Sequence, residues 1–384
     1  MKKRILYAVI AAFALLNVCG CQRQKPAEPV AAEPVPVHEE ITLLALGDNL
    51  LHMPVVNSGK QSDGTYHYAH LFEKLQPGIK NADIAVIGQE TVFGGAALGY
   101  SGYPLFNSPS DMGKSLVEEG FDVVLHASNH VLDRGALGVE NTLNFWEEYP
   151  AIQVLGIHAS TEEQNSVNVQ TVKGADIALL NYTYGTNGIP LPQGKEYLVD
   201  LIDEERIEAD SKFAEENADF TIAFMHWGTE YSIKPNEMQK ELAQKMCQWG
   251  VDLIIGSHPH VIEPVEWVTS ENGNKCLVYY SLGNYVSRQL EERNILGGVA
   301  DVTLLYDGEK VTIADSAFVP IVTHYDITYK KFSVYPLGEY TNELAAGHGI
   351  VPYVGKVSCE GWRDIVSTVF EGYDTSFVRY EFDD

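Results

Sequence analysis

A short phrase recurs along this chain: glycine or asparagine, one residue, aspartate, then an unbroken apolar run. It stands at Asn81-Ala82-Asp83, Gly120-Phe121-Asp122, Gly174-Ala175-Asp176, Asn217-Ala218-Asp219 and Gly250-Val251-Asp252. Gly or Asn suits the left-handed residue that ends a helix or makes a turn. The runs that follow, over 84–87, 123–125, 177–180, 220–225 and 253–255, are continuous rather than alternating. Strands buried on both faces read that way. Helical stretches separate them, clearest over 137–149, 203–216 and 237–249, the last with Asn236 as N-cap and Gly250 at its end. Strands alternating with helices mean a layered α/β fold.

The start of the chain stands outside that scheme. Lys2, Lys3 and Arg4 precede an apolar stretch over 5–18. It is shorter than the ~20 residues of a bilayer-crossing helix and fits the core of a secretory signal. It closes in Val18-Cys19-Gly20-Cys21, which resembles a bacterial lipobox. The expectation is a lipoprotein signal over 1–20, cleavage before Cys21 and lipid on its sulfur. Residues 21–40, rich in Pro, Ala, Glu and Val, cannot bury a core and read as a semi-rigid tether. The protein is therefore expected outside the cytoplasm, lipid-anchored to the cell membrane.

What remains, about 340 residues, suffices for one large α/β domain with additions, or for two domains. The net charge of −27 argues against nucleic acid as a partner, because affinity there rests on basic groups meeting phosphates. Past Cys21 only Cys247, Cys276 and Cys359 follow. They share no metal-like spacing, and their odd number rules out a full disulfide framework. Core packing is the expected role of Cys247 and Cys276.

Each predicted strand runs into a polar residue of a particular kind. The first, over 41–46, leads to Asp48, and the run over 84–87 leads to Glu90. Asn129 and His130 follow 123–125, and His226 follows 220–225. The run over 253–255 leads to His258 and His260, and 276–280 leads to Asn284. In open α/β sheets the ligand site lies beyond the carboxyl ends of the strands. Carboxylate, amide and imidazole together suit borderline divalent metals. In Gly256-Ser257-His258-Pro259-His260 the proline predicts an extended His258. Residues two apart then point the same way, and both rings would face one point.

These pieces, in this order over residues 41–287, resemble the CapA family of bacterial capsule proteins. The matching motifs are Gly47-Asp48, Gln89-Glu90, Ser128-Asn129-His130 with Asp133 and Gly135, His226-Trp227-Gly228 with Glu230-Tyr231, Gly256 to Val261, and Tyr280 to Asn284. That family is linked to poly-γ-glutamate synthesis and is similar in turn to calcineurin-like metallophosphatases. The resemblance implies an α/β/β/α sandwich over 41–325, with a small C-terminal addition over 326–384. It implies one or two divalent ions, Mn, Fe or Zn. Glu90 would bridge them. Asn129, His226 and His258 would complete one ion, and Asp48 and His260 would serve the other. His130 would stand beside the site as acid or anion donor, oriented by Asp133. The implied substrate is an anionic cell-envelope polymer or a phosphorylated precursor, and other capsule synthesis proteins are candidate partners.

Two departures from the pattern stand out. Leu50 occupies the position where phosphatases carry a histidine, two residues after the first aspartate. His52 is near but expected to point elsewhere. Gly88-Gln89-Glu90 replaces the usual Asn-Leu-Glu. A weakened first site leaves two readings open: a metal-dependent hydrolase, or a metal-binding protein of polymer assembly without turnover. Phe93 to Tyr103 and Tyr182 to Gln193 read as long loops over the site, as lids often are. His67, His70 and His126 are expected to have no part in it.

Overall fold

The computed structural model describes residues 38–382. The expected signal, Cys21 and residues 22–37 of the expected tether lie outside the described residues. In chain order the strands are β1 (Glu39–Asn49), β2 (Ile84–Gly88), β3 (Val123–Leu125), β4 (Gln153–Leu155), β5 (Asn168–Val172), β6 (Ala175–Thr183) and β7 (Phe220–His226). They continue with β8 (Leu253–Ser257), β9 (Val265–Thr269), β10 (Lys275–Tyr279), β11 (Asn284–Val286), β12 (Leu296–Tyr306), β13 (Val311–His324) and β14 (Ser333–Pro336). One sheet runs β14-β13-β12-β1-β2-β3-β4, with β11 paired to the end of β1. The other runs β5-β6-β7-β8-β10-β9. The fold is the expected α/β/β/α sandwich.

The continuous apolar runs are explained by which residue faces what. In β7, Phe220, Ile222 and Phe224 enter the large core between the sheets. Ala223 and Met225 face a second core under the helices Glu204–Asn217 and Glu237–Gln248. β8 and β10 divide in the same way: Leu253, Ile255, Leu277 and Tyr279 inward, Ile254, Cys276 and Val278 toward the helices. Cys247 and Cys276 are buried and free, as their core role requires. Asn236 caps its helix in a full capping box with Gln239, and Gly250 takes φ 100° just beyond it.

Four of the five recurring aspartates act as clips between neighbouring strands. Asp83 Oδ2 accepts from Thr42 N–H at 2.9 Å, and its own N–H donates to the Thr42 carbonyl at 3.0 Å. The same reciprocal pair joins Asp122 to Ala85, Asp219 to Asp176 and Asp252 to Thr221. The carboxylate takes the N–H of the residue just before the first paired position on the neighbouring strand, a donor at the rim of the ladder. Four strands thereby enter their sheets in fixed register, which sends their far ends to one edge.

Past Tyr325 the chain rejoins the first sheet. β14 pairs antiparallel with β13, and the helix Cys359–Val369 buries Trp362, Val366 and Val369 in the main core. The alternating stretch over 327–334 is a strand only from Ser333. Asp326 Oδ1 accepts from the N–H groups of Thr328 and Lys330, and this side-chain turn overrides the alternation. Among the described residues, no helix is long and apolar enough to cross a membrane.

Candidate metal centre

The carboxyl ends of strands from both sheets deliver the candidate residues to one buried place. Asp48 lies near the end of β1, Glu90 two residues past β2, and Asn129 and His130 in the turn after β3. His226 ends β7, His258 and His260 follow β8, and Asn284 opens β11. All of these are at least nine-tenths buried. Among the described residues, Asp48, Glu90 and His260 are the one acidic–imidazole group whose ligand atoms all lie within 4.8 Å of one another. His260 Nε2 is 3.9 Å from Glu90 Oε1. His226 Nδ1 stands 3.6 Å from Asp48 Oδ1, and its Nε2 is 2.9 Å from Asn129 Oδ1. The His258 ring lies 4.9 Å from that of His226 and 5.9 Å from that of His260.

The two histidines converge by a route other than the expected one. His258 is not extended: it takes φ 96°, and His260 takes φ 57°. Both are in the left-handed region, where non-glycine residues are uncommon. Asp48 Oδ2 accepts from the His258 N–H at 2.9 Å and helps hold this turn. Strain of this sort persists where the surroundings over-determine it, and it clusters at functional sites. Tight coiling, rather than strand alternation, aims both rings inward.

Second partners orient the rings. The Asn284 side-chain oxygen meets His260 Nδ1 at 3.0 Å, while its amide nitrogen donates to the His260 and Asn294 carbonyls. Ser257 Oγ meets His226 Nδ1 at 3.0 Å. Asp133 Oδ2 accepts from His130 Nδ1 at 2.8 Å and from the Phe106 N–H at 2.6 Å. His130 Nε2 is then 4.0 Å from Glu90 Oε1, and its ring packs edge-on to Phe106 at 4.7 Å.

The electrostatics suit neutral imidazoles beside carboxylates. Burial, followed by His226 and His260, pushes His258 down to about 2. Burial also pushes His260 down to about 4. Glu90 is raised well above the usual carboxylate range by burial and then by Asp48. Burial would raise Asp48 too, but His226, His260 and the His258 N–H hold it below that range. Both Glu90 oxygens and His258 Nδ1 are buried without a hydrogen-bond partner. Leaving three such atoms unmatched is costly, and a carboxylate and an imidazole nitrogen are atoms that divalent cations accept. A cavity of about 20 Å³ beside Asp48, Glu90 and His226, with Leu46, Phe224 and Ile255 also in its wall, has room for one water-sized occupant; Asn129, His258 and His260 do not line it. The residues therefore fit a divalent cation.

The remaining histidines fall outside this group. His52 turns to Phe106, 5.4 Å between rings, and its Nδ1 accepts from Arg288 N–H at 3.3 Å. Leu50 is buried beside it in sequence and offers no ligand atom. His126 is core, with the Trp146 indole N–H donating to its Nε2 at 2.8 Å. His70 contacts Ser58, and His67 lies beside Glu118. Tyr182 belongs to β6, so the second loop starts at Tyr184, whose ring sits 4.4 Å from that of His258. Asn187, in the same loop, reaches Asn129. Asn284, counted among the strand-end residues, holds the His260 ring; Ser257 stands inside a quoted motif without a role read from it, and nothing local in the sequence marks Asn187 or Phe106.

Residues 42–289 match the family model described as bacterial capsule synthesis protein PGA_cap. The PGA biosynthesis protein CapA of Bacillus subtilis (strain 168) is 32% identical over 186 residues, 46% of this chain and 45% of that protein. The capsule biosynthesis protein CapA of Bacillus anthracis is 27% identical over 305 residues, 75% of this chain and 70% of that protein. This chain thus spans under half the length of the first relative. Among solved structures, the NAD nucleotidase of Haemophilus influenzae is similar over 74% of this chain and 52% of its own, with 14% identity and a TM-score of 0.47. A calcineurin-like phosphoesterase of Bacillus subtilis is similar over 88% of this chain and 98% of its own, with 15% identity and a TM-score of 0.43. These two likenesses are too loose to carry an argument about chemistry. The family match covers well over half of the chain, and its span holds every residue of the buried cluster: the chain belongs to the bacterial capsule synthesis protein (PGA_cap) family.

Proposed function

We propose that this protein is a lipid-anchored, extracytoplasmic component of capsule or poly-γ-glutamate biosynthesis that acts as a metal-dependent, phosphoesterase-like hydrolase. Its substrate would be an anionic cell-envelope polymer or a phosphorylated precursor, and other capsule synthesis proteins are candidate partners. The observation that carries the reading is Glu90. Both its oxygens are buried without a hydrogen-bond partner, and Oε1 lies 3.9 Å from His260 Nε2 and 4.0 Å from His130 Nε2. Glu90 would bridge two ions, with Asn129, His226 and His258 on one, and Asp48 and His260 on the other. Mn, Fe and Zn accept this mixed oxygen and nitrogen set. When bound, such ions activate water and stabilise charge on an oxyanion. The other tasks fall to the chain. Asp133 holds the His130 Nδ1 proton, which aims Nε2 at the site, where a protonated ring would give its proton to a leaving oxygen. Asn284 and Ser257 hold His260 and His226 in one orientation.

A second reading has its own observation. Leu50 supplies no ligand where phosphatases have one, which favours a non-catalytic metal-binding component of polymer assembly or export. Metal analysis of the soluble ectodomain, with a phosphomonoester, phosphodiester and amide panel in Mn²⁺, separates the two. Hydrolysis of any ester with bound metal supports the enzyme. Bound metal without turnover supports the assembly role, and no metal overturns both.

A further inference from the structure

We infer that Asn187 is a positioning residue that sets which way the Asn129 amide faces. An asparagine side chain has one acceptor end and one donor end, and only its oxygen can serve a cation. Here Asn129 Oδ1 points at His226 Nε2, 2.9 Å away, on the ligand side. Its Nδ2 points outward and donates to Asn187 Oδ1 at 3.1 Å. The Tyr184 hydroxyl converges on the same oxygen from 3.5 Å, so two donors keep Asn187 turned as an acceptor. Flipping Asn129 would set oxygen against oxygen at Asn187 and aim a donor at the ligand site. Asn187 takes φ 51°. The loop is therefore coiled so that an exposed residue reaches back onto a buried one. The same loop carries Tyr184 against the His258 ring, so two of its residues touch the side chains of two candidate ligands.

This inference rests on the proposed metal reading, and its test keeps the two apart. Glycine tolerates φ 51° without strain, so Asn187→Gly removes the amide and leaves the turn. Partners of ligands typically matter by 10–100-fold in metal affinity. Because Asn187 is exposed and water can replace part of its bond, about tenfold weaker Mn²⁺ binding is expected for Asn187→Gly, read by calorimetric titration. A carboxylate offers oxygen whichever way it turns. In an Asn129→Asp background, Asn187→Gly should therefore leave Mn²⁺ affinity unchanged. Equal affinities of wild type and Asn187→Gly would overturn the inference. Equal losses in both backgrounds would also overturn it, because the loop would then act without regard to the amide. In EDTA, Asn187→Gly should leave the melting temperature unchanged within each background; a metal-free drop on adding Asn187→Gly would likewise assign the effect to the fold. If the wild type itself binds neither Mn²⁺ nor Zn²⁺, the metal reading falls, and this inference with it.

Discussion

At the scale of single residues, the site sets unsatisfied acceptors against neutral imidazoles. His258 brings a buried, partnerless Nδ1, so its removal takes away a donor atom with no other duty. His258→Ala is expected to lower bound metal and the melting temperature together, because a ligand that binds only the native state stabilises it. His67→Ala, at the surface beside Glu118, should change neither; element analysis and a thermal melt on both proteins decide. His130 differs, because Asp133 already occupies its Nδ1. His130→Ala should keep metal and fold but lose turnover by about 10²–10⁴-fold, the scale of general acid catalysis. Lost metal in that protein would make His130 a ligand instead. Glu263 gives a test away from the ligands. It is fully buried, accepts only from Gln239 at 2.6 Å, and burial pushes it up to about 8. Its folded value lies above the unfolded value of about 4.3. The fold thus favours the protonated form, and that stabilisation is complete below about pH 4 and is lost as pH rises through about 8. Glu263→Gln should therefore melt higher than wild type at pH 8.5, with the gap shrinking at pH 5; a gap that does not widen with pH would be against it.

At the scale of elements, the aspartate clips place the site indirectly. They hold one end of the strands, while the ligands sit at the other. A strand that slipped by one residue would turn its whole side-chain set to the opposite face. Asp122→Ala removes the acceptor for the Ala85 N–H. A hydrogen bond to a charged group is worth about 1.5–3 kcal/mol, and denaturant unfolding should show a loss of that size. Asp122→Asn keeps an acceptor and should lose less. The turn carrying His258 and His260 is the converse case. There the backbone leaves its easy region so that two rings can meet.

At the scale of the whole molecule, β12, β13 and β14 extend the first sheet and the last helix covers it. Residues past Tyr325 therefore complete the body that holds the ligand ends. The N-terminal expectation is tested on the full chain in its cell. Cys21→Ala should free the protein from membranes or leave its signal uncleaved, and fractionation with a size measurement tells which. A processed Cys21→Ala protein still on the membrane would remove the lipoprotein reading.

The α/β class, the positions of β1, β2, β3, β6, β7, β8 and β10, and the residues after them were legible in the sequence, because each depends on local patterning; β4, β5, β9, β11, β12 and β13 were not read from it. Strands buried on both faces read as unbroken apolar runs, and the residues after them lie at one edge in any sheet of this kind. Asp48, Glu90, Asn129, His226, His258 and His260 could be picked out on that ground. Tertiary structure alone decided how they meet. The left-handed turn at His258 and His260 is held by Asp48, 210 positions away. Asn187 reaches Asn129 across 58 positions, and Phe106 meets His130 through a loop with no periodic signal. Such contacts depend on where distant segments pack, and no local pattern encodes that.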